Sequence, residues 1–443
     1  MTSPDRPPLT PPAAAAADLA VAQVQARLQA LAAPLALTGR ARPQTLALHE
    51  ALGRVLAQDL ISPLDVPPHD NAAMDGYAFD GQVLQDTPTD GRGWQWQVVG
   101  TALAGRPWTG TLQAGQALRI MTGAVMPAGA DTVAPQELCS REGDTLRLPA
   151  DAGLRPGAHR RLAGEDLAVG QCALPAGTRL GPAAVGLLAS LGLASVEVLP
   201  ALRVVLFSTG DELLEPGQPP RPGAIYDSNR YTLRALLARL GCEVLDLGQL
   251  ADQPNVLEAS LRQAAGQADV IITSGGVSQG DADHLRSVLQ RMGQIDFWRV
   301  AMRPGRPLAV GLLPAPAPEA AARQALLFGL PGNPVAAMVS FLVFVRPTLL
   351  QLMGCSAPAE LQPPVLRARS LNPIRKRPGR TEYPRAWLHA HPGRLPEVQV
   401  AAEQGSGLLS GMQAANALVL LPHDAGPVEA GDEVDVLLLD SLI

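Results

Sequence analysis

The run Ser274-Gly275-Gly276-Val277-Ser278-Gln279-Gly280 is the densest set of groups able to hold an anion. It follows directly on Asp269-Val270-Ile271-Ile272-Thr273, an apolar run suited to a buried strand. Glycines let backbone N–H groups approach a phosphate without a Cβ in the way, and Ser274 and Ser278 add hydroxyl donors. A helix starting near Asp281 to Asp283 would turn its partly positive N-terminus to the same place. An ordinary strand-to-helix turn is the structural alternative; a place at the carboxyl end of a strand favours a ligand.

Other runs offer complementary chemistry. Ser208-Thr209-Gly210-Asp211-Glu212 is a second strand-end loop, whose carboxylates could bind a metal, orient a ligand or cap a helix. Tyr226-Asp227-Ser228-Asn229 is explained by an Asx turn and an N-cap. Asp281 and Asp283 would repel a bound phosphate unless a divalent cation such as Mg²⁺ bridges them, with a helix cap as the competing account. In Trp298-Arg299-Val300-Ala301-Met302-Arg303-Pro304-Gly305-Arg306-Pro307, period-two alternation puts Arg299, Ala301 and Arg303 on one face. Cations so placed suit a tetrahedral oxyanion, and equally a solvated edge strand. Gly329-Leu330-Pro331-Gly332-Asn333-Pro334 places Asn333 at an N-cap and Pro334 at the first helical position, with Gly332 permitting an unusual backbone angle. Asp70 to Ala78, Arg119 to Ala124 and Gly164-Glu165-Asp166 each read as plain turns when taken alone.

The elements that must position these residues follow from periodicity. Val204–Phe207, Glu243–Leu247, Asp269–Thr273, Phe297–Val300 and Leu326–Phe328 read as strands. Asn229–Leu240, Asn255–Ala265, Asp283–Met292 and Pro334–Leu349 read as helices. That alternation predicts an α/β domain with a doubly wound parallel sheet over residues 201–356. Residues 21–200 form an N-terminal region, with helices at Ala13–Ala32 and Leu46–Leu56 and an inserted β-rich arm at about 64–175. Residues 365–443 have short strand-like runs and no clear helix, as in a small β-barrel or sandwich. Residues 1–20 read as a loose, Pro-rich tail without the basic start of a signal peptide.

Composition narrows the function classes. The chain has 443 residues and a net charge of −6, which argues against a nucleic-acid binder. Its uninterrupted apolar runs are short of a membrane span. Cys139, Cys172, Cys242 and Cys355 are scattered without zinc-site spacing, which fits a reducing cytoplasm. Lys376 is the one lysine beside 34 arginines, a bias that puts arginine wherever a cation is tolerated.

Taken together, the motifs resemble those of molybdopterin molybdotransferases, the MoeA-type family related to the gephyrin E-domain. The matching strings are Ala73 to Ala78, Arg119 to Ala124, Gly164 to Asp166, Ser208 to Leu213, Ser274 to Ser278, Pro304 to Pro307 and Gly329 to Pro334. The resemblance implies the last step of molybdenum-cofactor synthesis: adenylylated molybdopterin and molybdate give molybdenum cofactor and AMP, with Mg²⁺ assisting. It implies a cytoplasmic homodimer whose site is shared between subunits, with molybdopterin adenylyltransferase as a candidate partner. Catalytic and metal-binding roles fall to Asp75, Asp166, Glu212 and Asp283. Binding of the pterin substrate falls to Thr122, Ser208, Thr209, Gly210, Asp252, Ser274, Gly275, Gly276, Val277, Ser278, Pro331, Gly332, Asn333 and Pro334. Molybdate contacts fall to Arg299, Arg303, Arg306, Arg380 and Ser406. The family usually has lysine at positions 299, 303 and 306; arginine keeps the charge and loses a titratable amine. The alternatives are a molybdopterin adenylyltransferase, which is a single short domain, and a gephyrin-like scaffold.

Overall fold

The computed structural model describes residues 18–38, 41–86, 88, 93–276, 284–316 and 324–442. Val277, Ser278, Gln279, Gly280, Asp281 and Asp283 lie outside the described residues, as does most of the expected tail. The chain forms two compact units. One runs through Ala57, takes Ala176–Gly181 and resumes at Val196; the other comprises Gln58–Pro175 and Pro182–Ser195.

The first unit contains the central sheet, built from β1 (Arg203–Thr209), β2 (Glu243–Leu250), β3 (Val270–Ser274), β4 (Gln294–Arg299), β5 (Pro307–Pro314) and β6 (Gln324–Leu330). Their order is β2-β1-β3-β6-β5-β4. The strands β2, β1, β3 and β6 run parallel, β5 runs antiparallel between β6 and β4, and β4 returns to the direction of the others. The sheet is therefore mixed, not wholly parallel as expected. The difference is β5, which Pro307, Gly311 and Pro314 disguise as a loop and which forms a hairpin-like meander with its neighbours.

Helices cover both faces, because the strands bury alternate side chains on opposite sides. Val204, Leu206, Val270 and Ile272 pack with Leu233 and Leu237 of α1 (Ser228–Leu240). Val205, Phe207 and Ile271 pack with Leu257 and Leu261 of α2 (Pro254–Gln267) and Leu285 of α3 (His284–Met292). Each fully buried Leu, Ile or Phe here stabilises the unit by about 1.5–3 kcal/mol relative to exposure. The last helix, α4, starts at Pro334, passes through a π turn at Phe341–Val345 and ends at Leu352. Pro347 has no N–H to give the Val343 carbonyl, which accepts from the Gln25 side chain at 3.3 Å instead. By length and composition Pro334–Leu352 could cross a membrane, which corrects the expectation of no such stretch; 89% of its apolar window is buried inside the protein.

Two further expectations are overturned. Leu46–Leu56 is not a helix but a strand end, a short 3-10 turn at Leu48–Glu50 and a loop; Gly53 at φ 77° interrupts it. The C-terminal region is a closed barrel of Val365–Ser370, Glu397–Val400, Arg385–His389, Ala417–Leu420 and Glu433–Leu438, and it does carry a helix, Leu409–Ala414. Its core is small, around Ala368, Ala386, Val398, Val419 and Val436.

The second unit is built on a six-stranded sheet in the order Thr132–Pro135, Gly76–Phe79, Gln116–Ile120, Trp94–Ala102, Thr145–Leu148, Ser140–Glu142. One face packs Tyr77, Phe79 and Trp96, the other Ala78, Leu118 and Ile120.

Candidate active site

From β1 the chain crosses to β2 on one side of the sheet, and from β3 it goes on to β4 on the other, so the connections part between β1 and β3. Ligands of α/β sheets sit at such a switch point, beyond the carboxyl ends of the strands. Here Ser208 of β1 pairs with Ser274 of β3, and a cavity of about 350 Å³ opens beside Thr209, Ser274 and Gly275. Gly275 and Gly276 are in the left-handed region at φ 87° and 66°. A Cβ on Gly276 would stand 2.8 Å from Thr209 Oγ1 and from Leu285, so only glycine fits.

Asn229 closes the far side. Its Nδ2 donates to Ser274 Oγ at 2.7 Å and to the Gly332 carbonyl at 2.8 Å, tying the start of α1 to the end of β3 and the turn before α4. Asp227 caps α1, its carboxylate accepting from Arg230 N at 3.2 Å, Arg230 Nε at 3.0 Å and Ser208 Oγ. Arg230 also donates to Asp246 at 2.8 Å and to Glu215. Burial pulls the guanidinium toward neutrality, but its bonds to Asp227 and Asp246 and the field of Glu215 outweigh that and raise its pKa. The N-termini of α1 and α4 both open on this cavity, which Ser228, Asn333 and Pro334 line. Among the described residues, no arginine or lysine lines it. An anion would be held by hydroxyls, backbone N–H groups and helix dipoles.

Glu212 is the exposed carboxylate of this cavity, without a hydrogen-bond partner among the described residues. A Cβ on Gly210 would stand 2.5 Å from Glu212 Oε2, so Gly210 leaves the space into which the carboxylate folds. Gly332 is not in the left-handed region, contrary to expectation; its carbonyl serves Asn229. Asn333 and Pro334 do stand at the N-cap and first helical position of α4, although Asn333 caps nothing through its side chain. Pro331 is buried just before them. Asp252 lies between β2 and α2 and is not among the lining residues.

A second cavity, about 750 Å³, lies where the Pro373–Arg380 loop meets Arg303. Arg303, Arg375, Lys376, Arg377 and Arg380 line it with Glu382 and Glu429. Met302–Arg303 pairs in parallel with Thr381–Glu382, which brings Arg303 to Arg380. The buried Glu382 carboxylate accepts from Arg380 Nε at 2.8 Å and lies 4.0 Å from Arg303 Nη1. Arg299 and Arg306 are placed elsewhere, both on Asp18, at 3.0 and 2.8 Å. The Arg306 hydrogen bond, with the charge of both arginines, holds the Asp18 carboxyl below the usual range against the opposing effect of burial. The stretch is not one strand: β4 ends at Arg299, and Ala301 is buried while Arg299 and Arg303 are exposed. Ser406 accompanies the first cavity, its carbonyl accepting from Val335 N at 3.0 Å beside the lining residue Gly407. Buried Arg385 frames this loop, donating to the carbonyls of Leu408 and Glu403 at 2.6 and 2.8 Å.

Asp75 and Thr122 belong to the second unit. The antiparallel pair Gly76 and Ile120 brings their flanking residues together, and Asp75 Oδ1 accepts from Thr122 N and Oγ1, each at 2.7 Å. The Thr122 amide first, then its hydroxyl, lowers the Asp75 pKa. Stability from this pair is present above the unfolded pKa and is lost as pH falls through the lower folded value. Thr122→Val removes one donor, so an NMR carboxyl titration is expected to show the Asp75 pKa rising part-way to its ordinary value; no rise would mean the hydroxyl contributes nothing. Asp166 is exposed beside a cavity of about 460 Å³ lined by Val66, Pro67, Asn71, Arg161 and Glu165.

The residues that sequence reasoning missed are Arg230, Asp246, Glu215 and Glu382. Glu382 had a usable signal: two residues past Arg380, it could share a face with it on an extended chain. Arg230, three residues past Asp227 on a helix, had another. Among the described residues, no group of three or more His, Cys, Asp or Glu could hold a metal ion.

Fold and site thus define an α/β domain with an anion-suited cavity at its switch point, in a chain that also carries a β-barrel and a β-rich arm. Family profiles match residues 19–192 as "MoeA N-terminal region (domain I and II)", 205–351 as "Probable molybdopterin binding domain" and 367–439 as "MoeA C-terminal region (domain IV)". The chain is 39% identical to a molybdopterin molybdenumtransferase of Haemophilus influenzae, over 88% of this chain and 92% of that one. It is 38% identical to one from a Nostoc species, over 88% of each. A solved molybdopterin biosynthesis MoeA protein from Pyrococcus horikoshii OT3 aligns at TM-score 0.72 and 27% identity, over 93% of this chain and 99% of that one. The chain belongs to the MoeA family of molybdopterin molybdenumtransferases, enzymes of molybdenum-cofactor biosynthesis.

Proposed function

We propose that this enzyme takes adenylylated molybdopterin in the cavity between Thr209 and Asn229, takes molybdate in the basic cavity, and releases AMP as molybdenum is transferred to the pterin dithiolene. The observation that carries this reading is the presence, in one unit, of two cavities of different construction whose linings each suit an anion. One offers neutral donors and helix N-termini, as a phosphate within a larger molecule needs. The other offers arginines, as a free tetrahedral dianion needs. Holding both reactants turns a meeting of two anions into a positioned step.

The described residues do not form a closed Mg²⁺ cage. They fit an ion that arrives on a pyrophosphate, because Mg²⁺ commonly takes one or two protein carboxylates and completes its shell with phosphates and water. Glu212 would be the carboxylate in the cavity, with Asp75, Asp166 and Asp283 remaining candidates. When bound, the ion supplies neutralisation of the charge on the phosphoanhydride. Thr209, Ser274 and Asn229 orient the phosphate side, and Arg303 and Arg380 collect molybdate. A homodimer is part of the proposal. The adenylyltransferase alternative requires a single short domain; the matches at 19–192 and 367–439 set it aside.

Calorimetric titration with molybdate tests the second cavity. Arg303→Ala and Arg380→Ala are each expected to weaken binding by about tenfold or more, the equivalent of one charge-assisted hydrogen bond. Wild-type affinity in both would remove molybdate from this cavity.

A further inference from the structure

Lys376 is the only lysine among 35 basic side chains, and it is buried, while Arg375 and Arg377 on either side are exposed. Its Nζ donates to the carbonyl oxygens of Arg380 at 2.7 Å and Arg377 at 2.9 Å, and reaches those of His423 and Ala425 at 3.4 Å. The ammonium therefore joins two chain segments, 376–380 and 423–425. Among the described residues it makes no ion pair; Glu382 acts on it only at longer range. Burial pulls its pKa below the ordinary value.

An ammonium is a compact donor whose three protons can be shared among oxygens disposed around it. A guanidinium is larger and planar, with its donors fixed in a fork. Four carbonyls drawn around one nitrogen suit the first and exclude the second. That is a physical reason for this position to keep lysine in a chain that otherwise uses arginine.

The tied loop is the wall of the basic cavity. Gly379 N also donates to the His423 carbonyl at 2.9 Å, so the same two segments are held together on both sides of Pro378. We infer that Lys376 is a positioning residue for the oxyanion: its ammonium locks the Pro373–Arg380 loop so that Arg380 faces Arg303, and it spends its protons on carbonyls instead of on the anion. The inference rests on the reading that this cavity takes molybdate.

The test compares Lys376→Arg, which keeps the charge, with Lys376→Met, which keeps much of the length and removes the donors. Molybdate affinity, molybdopterin affinity and thermal midpoint are measured on the full chain. Both variants are expected to lose molybdate affinity about tenfold or more, with molybdopterin affinity unchanged. Wild-type molybdate affinity in Lys376→Arg overturns the claim that the cage needs an ammonium. Wild-type affinity in Lys376→Met overturns the positioning role altogether. Loss of molybdopterin binding together with the fold overturns it too, since Lys376 would then hold the whole unit and not this cavity. If Arg303→Ala and Arg380→Ala bind molybdate normally, the cavity assignment fails; if they weaken binding and the Lys376 variants do not, only the present inference fails.

Discussion

Arg230→Met is expected to destabilise the protein by about 3–5 kcal/mol, the usual cost of breaking a buried ion pair from one side. Its guanidinium is 7% exposed and meets Asp227 at 3% and Asp246 at 14%; Glu215, at 37%, is better solvated and adds less. Removing the cation leaves Asp227 with only neutral donors and Asp246 with the Gly248 amide and the more distant, exposed Arg234 at 3.8 Å, so neither low-exposure carboxylate keeps a close cation. Asp227 also caps α1 and receives the Ser208 hydroxyl, so the loss passes to the cavity wall. Arg230→Lys should recover part of the stability, since one ammonium cannot serve three carboxylates with the reach of a fork. Urea unfolding reads this directly as a fall in midpoint at constant slope. An unchanged midpoint would show that the cluster is screened and structurally idle.

The second large effect is kinetic. Glu212→Gln is expected to slow AMP release by about 10²-fold or more, the range for removing a group that acts on developing charge. Stability should barely move, because the carboxylate is exposed and bonded to no described residue. The Mg²⁺ concentration needed for half-maximal rate should rise in the same variant if the ion sits on this oxygen. Single-turnover measurement separates the outcomes: a normal rate with a normal Mg²⁺ dependence takes Glu212 out of the chemistry.

What the sequence made legible follows from where the physical signal is local. Apolar strands β1 and β3, and the helices after β1 and β2, announce themselves by period, and their ends place the cavity. β5 did not, because two prolines and a glycine look like turn residues until the sheet is present to pair them. Leu46–Leu56 looked helical from its leucines, yet Gly53 and the pairing of Val55 and Leu56 with Arg179 and Val198 decide it, and those partners are remote in sequence. Asp227 was readable as a cap, whereas the ring of Arg230, Asp246 and Glu215 needs the fold to assemble it. The arginines show the same limit. A shared face for Arg299 and Arg303 was a fair reading of alternation, but a break after Arg299 sends one to Asp18 and the other to Glu382.

The central claim is that this chain spends adenylylated molybdopterin and molybdate together. It is tested most directly by mixing the purified protein with both and Mg²⁺, then measuring AMP and the reactivation of a cofactor-free molybdoenzyme. The account predicts AMP and active cofactor in equal amounts, with cofactor formation abolished when molybdate is left out. Dimeric, folded protein that binds the pterin yet yields neither product would contradict it and point to a scaffold.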